Sequence, residues 1–88
     1  MTATEQPDPI RVMLVDDHEV VRRGIVTVID AHSDLSVVGE ASSVTEANRR
    51  LPAIRPEVLV VDLQLPDGTG IDVMKAAREL NPEQLMLV

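Results

Sequence analysis

Short runs of branched apolar residues alternate along this chain with stretches of helical period, and that alternation limits the fold more than any other feature. Ile10 to Val15 (IRVMLV) reads as a buried strand. Val20, Val21, Ile25, Val28 and Ile29 then recur at helical spacing, with Arg22 and Arg23 on the opposite, solvated face. Leu35 to Ala41 (LSVVGEA) is a second strand, in which Gly39 marks a bulge or a close packing contact. Ser43-Val-Thr-Glu46 is a capping-box pattern that opens a helix through Ala47 and Leu51, and Pro52 and Pro56 mark its end. Val58 to Val61 (VLVV) has no polar alternation, so it is expected as a central strand buried on both faces. Pro66 and Gly68 suit the second and fourth positions of a type I turn. Thr69 with Asp72 suits the cap of a third helix, expected to carry Ile71, Met74, Ala77 and Leu80 inward and to stop at Asn81-Pro82. Leu85 to Val88 (LMLV) begins a fourth strand.

The order β-α-β-α-β-α-β implies right-handed crossovers and a parallel sheet in one α/β domain. Met13, Met74 and Met86 fall on apolar positions and are expected to fill the core. Residues 1–9 (MTATEQPDP) have neither the basic start nor the apolar stretch of a signal peptide, and read as a disordered leader before a domain at 10–88.

Composition removes several function classes. No run reaches the roughly 18 apolar residues of a membrane span. There is no cysteine, which excludes disulfides and thiolate chemistry and fits a cytoplasmic setting. There is no Phe, Trp or Tyr, so stacking platforms for single-stranded nucleic acid are absent. Fifteen acids against eight bases give a net charge of −7, which repels phosphate backbones. His32 and the Arg49-Arg50 pair read as solvated surface, and His18 more as a surface residue at a helix start than as part of a site.

Ligands of open parallel α/β sheets bind beyond the carboxyl ends of the strands. Asp16 and Asp17 follow the first strand and Asp62 follows the third. If those strands are neighbours, as in a 2-1-3-4 order, the three carboxylates converge. Like charges in one cleft require either a retained proton or a cation. Oxygen-only donors favour Mg²⁺, which keeps waters and completes its shell with phosphate oxygen. Asp62, at the tip of the most apolar strand, is the candidate nucleophile for a phosphoryl group. Asp16 and Asp17 are the candidate metal ligands, and the Gln64 backbone carbonyl a further oxygen. One of the acidic pair can instead be an ordinary N-cap of the following helix. Asp62 has no such explanation, because Leu63 to Pro66 does not start a helix.

At these residues the chain resembles the receiver domain of two-component response regulators. The pieces are VMLVDDHEVVRRG (Val12 to Gly24), VVGEA (Val37 to Ala41) and PEVLVVDLQLPDGTGID (Pro56 to Asp72). The first two are similar to the NarL/FixJ (LuxR-type) subfamily, most of all to its DevR/DosR-like regulators. The resemblance implies a flavodoxin-like (CheY-like) parallel sheet of order 2-1-3-4. It implies phosphorylation of Asp62 by a sensor histidine kinase, with Mg²⁺ on Asp16, Asp17, Asp62 and the Gln64 carbonyl. It further implies dimerisation on phosphorylation, and DNA binding through a C-terminal helix-turn-helix outside this chain.

The chain also departs from the pattern. A receiver places a Thr or Ser after its fourth strand and a Lys after its fifth, and the one lysine here is Lys75, in the third helix. The expected domain therefore lacks its last helix-strand-helix, keeps the metal half of its site, and is impaired in phosphorylation. An open fourth strand and an uncovered sheet face lead to the expectation of self-association or partial disorder. Two other functions compete. A haloacid dehalogenase-type phosphatase also uses a strand-end Asp with Mg²⁺, but needs a second Asp where Gln64 stands. A non-phosphorylated dimerisation fragment would leave the carboxylates without a role. A flavin site would need Ser, Thr or Gly where Asp16 and Asp17 stand.

Overall fold

The computed structural model describes residues 8–88. Most of the expected leader lies outside the described residues; Asp8 and Pro9 are exposed and irregular. Strand β1 (Ile10–Val15) leads to helix α1 (Glu19–Asp30), strand β2 (Leu35–Ala41) to α2 (Val44–Ile54), and strand β3 (Val58–Val61) to a small hairpin, β4 (Gln64–Leu65) and β5 (Gly68–Thr69). Helix α3 (Gly70–Leu80) and strand β6 (Leu85–Leu87) follow. The main sheet has the order β2-β1-β3-β6 with every pair parallel. Counted within that sheet, this is the expected 2-1-3-4 order of a CheY-like α/β fold. No helix among the described residues is long and apolar enough to cross a membrane.

Strand alternation sorts the core. Met13, Val15, Leu59 and Val61 point to one face, where they pack with Ala47 and Leu51 of α2 and Val73 and Ala77 of α3. Removing side chains of this size from water contributes about 1.5–3 kcal/mol each, so this layer dominates stability. Met74 and Met86 rest against the same cluster, as expected. Leu14 and Val60 point to the other face, where they share a groove with Ile25 of α1. That face is covered less well. Val58 and Val60 are half-buried, and Leu85 and Leu87 are 64% and 62% exposed. The expectation that β3 is buried on both faces thus holds on one side and only partly on the other.

Several local expectations change. In α1 the inward stripe is Arg22, Ile25, Val26 and Ile29, whereas Val20 is 87% exposed and Val21 and Val28 also face solvent. The apolar residues of α1 outnumber the positions that can face the sheet, and the stripe that fits includes an arginine. In α3, Val73 is buried and Ile71 is exposed, because the helix begins at Gly70 and turns Val73 and Ala77 toward α2. Pro52 does not end α2; it sits in the last turn, and the helix continues to Ile54. Pro56 sets the end, since a following proline disfavours right-handed helix at Arg55, which adopts φ 44°. At the start of α2, Ser43 Oγ accepts the Glu46 N–H at 3.0 Å, but the Glu46 carboxylate takes the N–H of Ser42, at 2.7 Å, one residue earlier than an ordinary capping box. The Thr69–Asp72 box at α3 is as expected.

Both readings of Gly39 hold. The β1–β2 register shifts there, Val12 facing Val37 and Met13 facing Gly39, and a Cβ on Gly39 would collide with the Ile54 side chain. Buried Gln84 ties β6 to the start of β3, its Nε2 donating to the carbonyls of Pro56 and Glu57, both at 3.1 Å.

Two contacts brace the segment after β3. The hairpin turn at Pro66-Asp67 is where the turn residues placed it, and the Asp67 carboxylate accepts the N–H groups of Val44 and Thr45, at 2.7 and 2.9 Å, and the Thr45 hydroxyl. Asp67 therefore caps α2 from a distant loop, and these hydrogen bonds hold its carboxyl down at about 2. Gly70 is buried, and its N–H donates to the Leu63 carbonyl at 2.8 Å. A Cβ on Gly70 would run into the backbone carbonyl of Asp62.

Because the folded carboxyl of Asp67 lies below its ordinary value, its stabilisation is present above 3.8 and disappears as pH falls toward about 2. Asp67→Ala is expected to lower the thermal midpoint at neutral pH and to flatten this acid limb, read by circular dichroism melts from neutral pH down to about pH 2. Gly70→Ala is expected to cost about 1–3 kcal/mol in denaturant unfolding, since backbone rather than a flexible side chain blocks the methyl group.

Candidate functional site

The carboxyl edge of the sheet carries the acids. The β1–β3 ladder pairs Val15 with Val61, so Asp16 and Asp62 are the next residues of neighbouring strands. Both stay tied to the ladder: the Asp16 N–H donates to the Ala41 carbonyl at 3.0 Å and the Asp62 N–H to the Val15 carbonyl at 2.9 Å. Asp17 follows on the loop into α1. Asp16, Asp17, His18 and Asp62 each bring one oxygen or nitrogen within 4.8 Å of all the others. The sequence-predicted carboxylates thus converge, as the strand order required.

Neither Asp16 nor Asp17 is the N-cap of α1. That position is His18, whose side chain makes no cap bond. Asp16 Oδ1 instead accepts the His18 N–H at 2.8 Å, bending the chain just before the helix. The His18 ring faces back over the acids, with Nδ1 at 2.9 Å from Asp16 Oδ1, 3.2 Å from Asp17 Oδ1 and 3.7 Å from Asp62 Oδ2. The Asp16 hydrogen bond, and then the charges of Asp17 and Asp16, raise the His18 pKa above 6.5. The sequence reads His18 as a surface residue, and its side chain is 64% exposed, but the ring also lies beside the acids. The available signal was its place directly after the acidic pair; what the sequence did not show was the turn that brings the exposed ring over the acids.

Asp62 is held differently. Its Oδ1 accepts the Gln64 N–H at 3.2 Å, which leaves Oδ2 facing the cluster. Gln64 is the exposed first residue of β4, two residues past the acid, and its amide is what orients Asp62.

Arg22 was expected on a solvated face and is instead a structural part of this edge. Its side chain is 15% exposed, with Nε at 2.9 Å from Glu40 Oε1 and Nη1 donating to the Asp16 carbonyl. Glu40 also binds Arg23, and its backbone carbonyl accepts from Arg50 at 2.7 Å. The Arg22 charge is therefore paired with Glu40 and serves to hold the loop, not to neutralise the acids. Lys75 lines a separate surface groove of α3 with Met74, Arg78 and Met86. His32 is exposed, as expected.

Two carboxylates about 4 Å apart repel by about 1 kcal/mol in water and about 4 kcal/mol at an effective dielectric of 20. Three of them together, two on a backbone-anchored edge, favour a cation among them. Hard oxygen donors suit Mg²⁺, which needs only one or two carboxylates and keeps its waters. The residues present therefore fit such an ion. Beside Asp16 and Asp62, a groove of about 350 Å³ runs along Leu14, Ile25 and Val60.

Comparison with known proteins agrees with this geometry. The model of the response regulator receiver domain matches residues 12–88. The DNA-binding transcriptional activator DevR/DosR of Mycobacterium tuberculosis is 51% identical over 79 residues, which cover 90% of this chain and 36% of that protein. The chain thus spans about a third of the length of this curated relative. A crystal structure of a LuxR-family two-component response regulator from Aurantimonas sp. SI85-9A1 superposes with a TM-score of 0.82 at 35% identity, over 89% of this chain and 56% of that one. RcsB of Salmonella enterica serovar Typhimurium, bound to promoter P1flhDC in the presence of the phosphomimetic BeF₃⁻, superposes with a TM-score of 0.78 at 30% identity, over 88% of this chain and 39% of that one. With the strand order, the strand-end acids and a family match over nearly all the described residues in agreement, this chain belongs to the response regulator receiver domain family.

Proposed function

We propose that Asp62 is the phospho-acceptor of this receiver and that Asp16, Asp17, Asp62 and the Gln64 carbonyl hold Mg²⁺. The observation that carries the reading is the meeting of three carboxylates from two neighbouring strand ends. An Asp62 carboxylate oxygen attacks phosphorus, the P–N bond of a sensor histidine kinase's phosphohistidine breaks, and the leaving nitrogen keeps the electron pair. The product is an acyl phosphate on Asp62. A divalent ion bound here supplies charge compensation for phosphoryl oxygens. The Gln64 amide orients the acceptor, and Arg22 holds the Asp16 loop in place. Lys75 lies in the separate α3 groove and does not join the cluster.

The chain acts as a signal receiver in the cytoplasm rather than as a turnover enzyme. Its charge of −7 is wrong for phosphate backbones, so its part in transcriptional regulation is as the input module of a protein whose DNA contacts, through a helix-turn-helix, lie outside these residues. A phosphatase of the haloacid dehalogenase type is disfavoured because Gln64, not an acid, stands two residues past Asp62. The exposed Leu85 and Leu87 support self-association.

A titration with BeF₃⁻ and Mg²⁺ tests the acceptor. Saturable binding is expected, with loss of at least about tenfold in affinity in Asp62→Asn. Binding that Asp62→Asn leaves intact, or none at all, would favour a dimerisation module without phosphorylation. Light scattering is expected to show a species larger than the monomer, which Leu87→Lys converts to monomer.

A further inference from the structure

We propose that the cavity between the ends of α2 and α3 binds a small uncharged amphiphile, a phenol or short aromatic alcohol, whose hydroxyl donates to the side chain of Gln84. The cavity lies where the chain enters β3 and β6, at the opposite end of the sheet from the acids, so the inference does not depend on the reading of Asp62.

The local sequence makes the space. Pro56 stops α2 and Pro82 stops α3, because the residue before each proline leaves the right-handed helical region. The two helices therefore end at the same edge of the sheet. Leu51 and Pro56 form one wall and Ala77 and Leu80 the other, around a volume of about 170 Å³. Leu51 and Ala77 are each 1% exposed, so this wall is apolar and dry. An apolar cavity of about 150 Å³ takes up benzene, so one aromatic ring fits here.

Gln84 is an independent observation that points to a ligand. It is a polar side chain on the wall of this cavity, and it is 4% exposed. Its Nε2 donates to the carbonyls of Pro56, Glu57 and Leu85, at 3.1, 3.1 and 3.2 Å, which fixes the orientation of the amide. Among the described residues no group donates to Oε1, and no fully enclosed side-chain oxygen lacks a partner, so Oε1 opens onto the cavity. An amide oxygen only accepts, so the occupant brings an O–H or N–H.

Charge narrows the class further. The C-terminal ends of α2 and α3 both border the cavity, and the partial negative charge of helix C-termini disfavours an anion. Arg55 stands on the rim and disfavours a cation, and the apolar walls disfavour either. An uncharged ring with one donor satisfies all of these, and it would bridge α2, α3 and the start of β6.

The test titrates the full chain, labelled with ¹⁵N, with three probes of one shape: phenol, toluene and benzoate. Phenol is expected to give saturable amide shifts at Leu51, Ala77 and Gln84 and none at Asp16 or Asp62. Toluene is expected to bind about fivefold more weakly, the share of one net hydrogen bond, and benzoate more weakly than phenol. Leu80→Phe, which puts a ring of the protein's own at the half-buried wall, is expected to abolish the phenol shifts with its circular dichroism unaltered. No saturable shift with phenol in the wild type removes the site. Equal affinity for phenol and toluene removes the role of Gln84, and tighter binding of benzoate than of phenol overturns the uncharged class. A folded Leu80→Phe that still binds phenol places the ligand elsewhere and overturns the proposal; should that variant unfold, the three probes on the wild type decide alone.

Discussion

Two backbone hydrogen bonds at the edge of the sheet govern the rest of this molecule. The Asp62 amide reaches the Val15 carbonyl and the Asp16 amide reaches the Ala41 carbonyl. Each extends a strand ladder by one residue beyond its last apolar side chain. The acids are thereby fixed at one level on neighbouring strands, where the chain is still rigid but no longer buried. The ladder holds Asp16 and Asp62 together against their repulsion, because the packed layer of Met13, Val15, Leu59 and Val61 opposes the separation.

The surrounding polar contacts keep that edge from relaxing. Arg22 grips the Asp16 carbonyl while paired with Glu40, which also holds Arg23. Asp67 reaches from the hairpin to the start of α2, and Gly70 lets α3 begin directly against the Asp62 backbone. The charges around the site thus do two kinds of work. Arg22, Glu40 and Asp67 are taken up by ion pairs and backbone groups, whereas Asp16, Asp17 and Asp62 bring oxygens close to one another. Only the second group is open to an ion or a phosphoryl oxygen.

Most of the architecture was legible because it depends on local pattern. Runs of β-branched residues, the Pro66-Asp67-Gly68 turn and the Thr69–Asp72 box are short-range signals, and each appears where its residues stand. The helix faces were less legible. In α1, apolar residues lie at more positions than the sheet can cover, so periodicity rightly included Ile25 and Ile29 but also Val20, Val21 and Val28, where packing instead added Val26 and Arg22. Pro52 did not stop the helix: α2 runs two residues past it, and the residue before Pro56 decided where it ends.

By itself, the sequence determined that the chain is a parallel α/β unit with acids at the tips of its first and third strands. Hydrophobic periodicity and strand-end position are properties of neighbours in the chain, and they need no coordinates. The tertiary structure alone decided that His18 turns back over three carboxylates, that Arg22 is a brace and not a solvated charge, and that Asp67 caps a helix 22 residues before it in the chain. Those contacts join residues whose separation in sequence carries no pattern. They form only because the sheet order places the ends of β1, β2 and β3 side by side.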